Sequence, residues 1–380
     1  MSIFAQGLTS KTREAYRLFY PMAAFLAAVS IPLWIGQYLG FFDFGLNAQD
    51  HAHEMIFGFA LAVMTGFLLN GVKRINLILL VLIWVLARVL PFINWAPTPF
   101  VAGVQLLFPI SLALLVGVPL FRNAKTWRNL AFAPILAAFT LAEILFQLGQ
   151  LDYWEAGQAR GILFGLNLVC AMIFMMGGRV ITAVTNGAMQ ALGEHLTPGK
   201  QSYWERNGFF CLITMVLGDL TEISILSIIG GFGFFMAIAI RIYHWQITRL
   251  WKNPQCLWLH IGFIWLAVGV LLRALGHIFG DPFSILGIHL ITIAALGTLT
   301  LTIMSRTTLQ RIRSPIILPE IILICLASLS FSILFRVCME LLINKPIWGI
   351  ISAFFFSLSY SLFLIWFFLH MRKKKENKRN

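Results

Sequence analysis

Runs of roughly twenty apolar residues recur along this chain from one end to the other, the length a helix needs to cross a ~30 Å hydrocarbon core. Inside lipid every backbone N–H and C=O must be satisfied within the protein, which leaves helices or a closed barrel. The runs are continuously apolar rather than alternating, which excludes the barrel. Only 11% of the 380 residues are charged, against about a quarter in a soluble globular chain. The sequence therefore predicts an all-α, polytopic membrane protein in the lipid bilayer. About twelve spans are expected, near 18–40, 51–71, 75–95, 99–121, 129–149, 160–178, 207–221, 224–243, 257–277, 284–304, 316–338 and 347–370. The seventh and eighth are separated only by Asp219, Thr221 and Glu222, so the hairpin between them must be tight.

The formal net charge of +13 would raise nucleic-acid binding in a soluble protein. Its distribution argues for topology instead, with no nucleic-acid partner. With the N-terminus inside, 23 of the 28 Lys and Arg residues fall in cytoplasmic segments, leaving Arg88, Arg160, Arg273, Arg336 and Lys345. Acidic residues such as Asp43, Asp50, Asp152, Asp219 and Asp281 fall at the other ends. That is the positive-inside pattern, and it places both termini in the cytoplasm of a bacterial inner membrane. The polar segment 1–17 precedes a full span rather than a short signal-peptide core. The longest connection, 179–206, is cytoplasmic, its first part, Arg179 to Glu194, either extending the sixth helix or lying along the interface, and a basic tail occupies 371–380. A single membrane domain, 1–380, with no repeat and no soluble domain, is the expected organisation. The five cysteines have no C-x-x-C spacing and read as small core residues.

No phosphate-binding loop, dinucleotide fingerprint, nucleophile elbow or zinc-protease motif is present. Chemistry is carried instead by ionisable groups at membrane positions, where they are costly and usually functional. Neutral imidazole is a ligand for haem iron and for copper. By position, His51, His53, His277 and His289 fall towards the outer side, and His260 and His244 towards the inner side. His195 falls in the cytoplasmic connection and His370 before the basic tail. His51 and His53 are ~200° apart on a regular helix and share a metal only if the helix starts at or after His51, with Asn47 or Asp50 as cap. Glu54 is placed to orient His51. His289, Thr292 and Thr300 form a stripe that either backs a ligand or packs against a neighbouring helix. Glu143, with Gln147 one turn on, is either a proton relay or a hydrogen-bonded packing residue. Arg88, Arg273, Arg179 and Arg306 are anion partners or snorkelling charges.

The run His51-Ala52-His53-Glu54-Met55-Ile56-Phe57-Gly58-Phe59 resembles the H-A-H-E-M-x-F-G-F signature of the NnrS family. Three further stretches match in order: Gly177 to Ile181 with Thr185-Asn186, Leu259 to Trp265, and His289 to Leu309. The resemblance implies a twelve-span inner-membrane protein that binds haem b and copper and takes part in the response to nitric oxide and nitrosative stress. The implied metal ligands are His51, His53, His260 and His289, with His277 ranked lower because it matches no motif. The implied cofactor contacts are Arg179, Arg306, Arg88 and Asn186. Two departures stand out. Gln310 to Ser314 replaces the family's G-H-T-G-R, which reduces the expected haem loading, and Thr182 replaces a proline. His260 is expected roughly 15–20 Å from the outer histidines along the membrane normal, which predicts two separate sites.

The sequence leaves three functions to distinguish. The first is a haem- and copper-binding protein with nitric oxide or a nitrosyl species as ligand, including possible redox activity on it. The second is a proton-coupled transporter of a small anion or metabolite using Glu143, Arg88 and Arg273. The third, a terminal oxidase or nitric-oxide reductase, is disfavoured because no adjacent His-His pair is present.

Overall fold

In the computed structural model of the protein, residues 11–12, 14–93, 95–194, 201–245, 253–342 and 345–376 are described. Arg13, His195, Lys200, Arg249, Lys252, Lys378 and Arg379 lie outside them. Twelve long helices make up the described chain: α1 Ala15–Tyr38, α2 Ala48–Leu68, α3 Arg74–Phe92, α4 Thr98–Arg122, α5 Trp127–Gln150, α6 Gly157–Ala191, α7 Gln201–Thr221, α8 Ser224–His244, α9 Pro254–Phe279, α10 Asp281–Arg311, α11 Glu320–Leu341 and α12 Lys345–Glu376. Eleven of them are long and apolar enough to cross a membrane. The twelfth is α7, which has the length but carries Glu205, Arg206 and Asp219. A short antiparallel pair, β1 Lys11–Thr12 with β2 Val72–Lys73, is the one sheet among the described residues.

The chain divides into two compact units, 1–168 and 169–380, with the boundary inside α6. In the first unit, α2 starts with a reciprocal cap. Asn47 Oδ1 accepts from the N–H groups of Gln49 (2.8 Å) and Asp50 (2.9 Å), and Asp50 Oδ2 accepts from the Asn47 N–H (2.9 Å). In the loop before it, Asp43 accepts from the Gln37 amide and the Gly45 N–H. These donors hold its carboxyl below the usual carboxylate range. The turn between α5 and α6 places Asp152 at φ 58°. There the two helices approach so closely that a Cβ on Gly149, Gly157 or Gly161 would meet backbone of the facing helix. Such close contact of small residues is how helices associate in lipid.

The second unit repeats this device. The α7–α8 hairpin, tight as its three-residue spacing predicts, turns through Glu222 at φ 61°. A Cβ on Gly218 would meet the Ser227 backbone nitrogen, and one on Gly230 the Met215 backbone nitrogen. Between α9 and α10, Gly276 faces Ser284, Gly269 faces the Gly287 carbonyl and Ile291, and Gly262 faces Leu299. These contacts fix the antiparallel register of the two helices.

Three helices contain stretches wound more loosely than α: Glu54–Ala60 in α2, Ala113–Gly117 in α4 and Leu290–Gly297 in α10. Two of the three begin directly after a candidate ligand, His53 and His289. Such π segments occur frequently at functional sites.

Replacing Gly230 by Val forces α7 and α8 apart. The expected loss is about 1–3 kcal/mol, as for other overpacked interiors, read as a lower melting temperature of the detergent-solubilised protein, whereas Val at the open position Gly103 leaves it unchanged.

Candidate functional site

In the first unit, the cap at Asn47 starts α2 at Ala48, three residues before His51. The condition under which His51 and His53 would share a metal is therefore not met, and their rings take different partners. His51 stacks on Trp34, with centroids 5.3 Å apart and planes 7° from parallel. His53 is buried against Phe146 (4.3 Å, 23°). Its Nε2 stands 2.9 Å from both oxygens of Glu143. A carboxylate only accepts, so this contact selects the Nε2–H form. The His53 Nδ1 faces Glu54 at 3.7 Å. Glu54, expected to orient His51, accepts from Arg88 Nη1 at 2.8 Å. Glu143 also accepts from Gln147 Nε2 (2.7 Å), which donates as well to Gln105 Oε1 (2.9 Å). The result is one continuous polar chain, Arg88–Glu54–His53–Glu143–Gln147–Gln105. Gln105 was not expected from the sequence; an amide amid apolar residues in α4 was its only signal.

A cavity of about 420 Å³ opens beside this chain, and His51, His53, Glu54, Arg88, Gln105 and Gln147 are among the residues that line it. The loose winding of α2 exposes the Gly58 carbonyl to the Trp84 indole N–H, which donates to it at 3.0 Å. Gly58 itself lies where a Cβ would crowd Arg88 and Glu54, so the glycine of the H-A-H-E-M-x-F-G-F run makes room for their ion pair.

In the second unit, the other three motifs meet. Gly177 packs on the Phe263 ring, Gly262 on Leu299, and Thr185 Oγ1 lies 3.6 Å from Cys256 Sγ. Arg306 donates to Gln255, whose own amide donates to the Ile316 carbonyl. At the centre is His260, fully buried. Its Nδ1 lies 2.8 Å from the Cys256 carbonyl, so Nδ1–H donates and Nε2 carries the lone pair. That Nε2 is buried and has no hydrogen-bond partner. The Trp245 ring stands edge-on to the imidazole at 5.5 Å.

Other expected residues lie apart from this centre. Arg179 and Asn186 are on exposed positions of α6. His289 is half-buried, with Nδ1 2.8 Å from the Ile285 carbonyl and 3.3 Å from Arg336 Nη2. Gly269 of α9 packs against Gly287 and Ile291 of α10, which brings His289 level with that glycine and about 14 Å along the axis from His260. His277 Nε2 is 3.7 Å from Asp219. The stripe at Thr292 and Thr300 is a packing face: Thr292 donates to the Ile288 carbonyl, Thr300 to the Gly297 carbonyl, and Thr300 meets Tyr360 OH at 3.1 Å.

The five basic residues that broke the topological pattern include three that the structure pairs with acids. Arg88 meets Glu54, Arg273 meets Asp219 (2.7 Å) and Arg336 meets Glu340 (2.8 Å). Arg241, read from the sequence as a cytoplasmic charge, is instead 1% exposed. It donates to the Phe174 carbonyl (3.2 Å) and Gln201 Oε1 (3.1 Å), and its guanidinium lies 4.5 Å from the Phe174 ring. A side chain on Gly178 would collide with it. The Gly-Gly pair before Arg179 was the available signal.

Among the described residues no three His, Cys, Asp or Glu side chains form a preformed metal cage. Together these features define a polytopic helical membrane protein with a buried, singly oriented imidazole and a separate polar cavity. A family model described as NnrS protein matches residues 11–375, nearly the whole chain, and the protein belongs to the NnrS family. No curated protein is similar enough to be matched with it.

The Asp219–Arg273 pair gives a direct test of the buried ion pairs. Asp219→Leu alone leaves Arg273 buried without its acid and is expected to cost roughly 3–5 kcal/mol, whereas adding Arg273→Met recovers most of it; thermal melts of the wild type, the two single variants and the double measure the cycle.

Proposed function

We propose that the protein is a haem-binding, and secondarily copper-binding, protein of the bacterial inner membrane that acts in the response to nitric oxide, with twelve spans and both termini in the cytoplasm. Family membership supports this reading, as does the excess of Lys and Arg at the ends assigned to the cytoplasm. The observation that carries it is the His260 Nε2, buried, aimed by the Nδ1–H bond to Cys256, and lacking a partner. An unmade hydrogen bond at a buried nitrogen costs about 1–3 kcal/mol, a cost that coordination removes.

The residues fit haem iron, for which a neutral imidazole nitrogen is a suitable ligand. Bound haem would supply a ligation site for nitric oxide and one-electron exchange. His260 would hold the iron, Cys256 keeps the imidazole in the coordinating tautomer, Trp245 excludes water from its edge, and Arg306 supplies a nearby cation for an anionic group. Copper needs several converging donors. Among the described residues no three His, Cys, Asp or Glu side chains converge; His51 and His53 in the first unit and His289 in the second are separate candidates rather than one shared site, and His53 would have to leave Glu143 to bind the metal.

One observation favours the transporter reading: the Arg88–Glu54 ion pair and His53, itself paired with Glu143 behind it, line a cavity. That reading predicts colourless protein and pH-driven uptake into vesicles. An absorption spectrum with metal analysis on purified full-length protein separates the two. The haem reading expects a Soret band that His260→Ala reduces at least tenfold, while His277→Ala leaves it unchanged; a metal-free, colourless protein from haem-replete cells would overturn it.

A further inference from the structure

The cavity of the first unit lies between the second half of α1, the start of α2, the end of α3, the start of α4 and the end of α5. Its wall holds two carboxylates, Asp50 and Glu54, and one guanidinium, Arg88. Arg88 is taken by Glu54, at 2.8 Å. His53 also reaches the wall, but its Nε2 is held by Glu143 at 2.9 Å, so a proton taken up there is balanced from behind. His51 lies against Trp34, and an ordinary imidazole is mostly uncharged at about pH 7.5. Asp50 is the charge left over. One of its oxygens caps α2 by accepting from the Asn47 N–H (2.9 Å). Among the described residues no basic side chain forms an ion pair with it. The N-terminus of α2 supplies only about half a positive charge. The wall is therefore net negative, in a bundle where unbalanced charge is costly, and a bound cation would offset it.

The rest of the wall decides what kind of cation fits. A metal ion wants several donors converging on one point, and among the described residues no three His, Cys, Asp or Glu side chains do so. The lining is instead mostly apolar, with Phe25, Val29, Trp34, Phe92 and Phe146 among its residues. Aromatic side chains bury carbon and also attract organic ammonium ions. The cavity is polarised along its length. Asp50 stands in the first turn of α2, and the neighbouring His51 stacks on Trp34. Phe25 lies nine residues before Trp34, about 13 Å further along α1. Phe25 and Val29 are exposed on a helix apolar enough to cross the bilayer, so the end away from Asp50 opens towards hydrocarbon. The volume, about 420 Å³, lies at the small end of ligand pockets.

We propose that this cavity binds an amphiphilic organic ammonium ion, with its charge beside the Asp50 carboxylate and its apolar body directed towards Phe25 and Val29. The ammonium N–H groups donate to the Asp50 oxygen that the cap leaves free, and the Arg88–Glu54 and His53–Glu143 pairs stay intact. The proposal stands apart from the haem reading, since it uses neither His260 nor the second unit.

The test uses purified full-length protein in phosphatidylcholine nanodiscs, with and without EDTA, and follows the binding of radiolabelled 4-phenylbutylamine above that of empty nanodiscs. The competitors are its uncharged and anionic counterparts, 4-phenylbutanol and 4-phenylbutyrate. Binding is expected to saturate, to be displaced by neither competitor, and to weaken at least tenfold in Asp50→Asn, which removes the charge and keeps an acceptor for the cap. Where Asp50→Asn fails to fold, Val29→Trp, which narrows the apolar end, decides by the same criterion. Binding that does not saturate, that 4-phenylbutanol displaces equally well, that EDTA abolishes, or that persists in the deciding variant overturns the proposal. Replacing part of the phosphatidylcholine by phosphatidylethanolamine separates the two sources of an ammonium group: a lipid headgroup competes with the probe, whereas a site for a free amine is unaffected. The haem spectrum, measured on the same samples, reports separately on the other reading.

Discussion

Polar groups inside a bilayer have no water to turn to, and the structure is organised around that fact. Unlike a soluble domain, where a charge can be left at the surface, this chain brings buried ions to partners on other helices. Arg273 reaches from α9 to Asp219 on α7, and Arg88 reaches from α3 to Glu54 on α2. Serine and threonine hydroxyls follow the same rule over shorter distances. Thr65, Thr302, Ser305 and Thr308 each donate to the carbonyl four residues back, which satisfies the hydroxyl without any neighbour. Glycine makes the longer bridges feasible, because partners can meet only where helix backbones approach closely.

The same requirement explains why the candidate sites look as they do. His53 and His260 are both buried imidazoles on helices, yet their situations are opposite. His53 has carboxylates at both ring nitrogens, so it belongs to a polar chain that runs through five other side chains. His260 uses one nitrogen to fix its ring and leaves the other bare. The first arrangement suits holding and orienting polar groups, and the second suits offering a lone pair.

Much of the fold was legible because lipid imposes a length. The expected runs coincide with the helices, and the hairpin at Glu222 follows from having only Asp219, Thr221 and Glu222 between two runs. The sequence left two courses open for Arg179 to Glu194, a continuation of the sixth helix or a segment along the interface; α6 continues to Ala191, because a charged residue stops an apolar run without stopping a helix. The histidines themselves were legible, but their partners were not. Nothing in the spacing tells that residue 143 meets residue 53, or that Arg241 threads beneath Gly178, because these contacts join helices distant in sequence. The loose stretches after His53 and His289 were equally invisible, since no single residue type marks them.

Those loose stretches have a consequence for how the two ends of a helix are coupled. One surplus residue in a turn puts the segments on either side out of rotational phase by about 100°. In α2, the turn bearing His51 and His53 is thus indexed independently of the turn bearing Gly66, which packs against the Tyr20 ring. Sliding the surplus residue by one turn swings the histidine end around the axis while the far end keeps its seat. A rod in which one half can be dialled against the other needs no break in its backbone to present a different face.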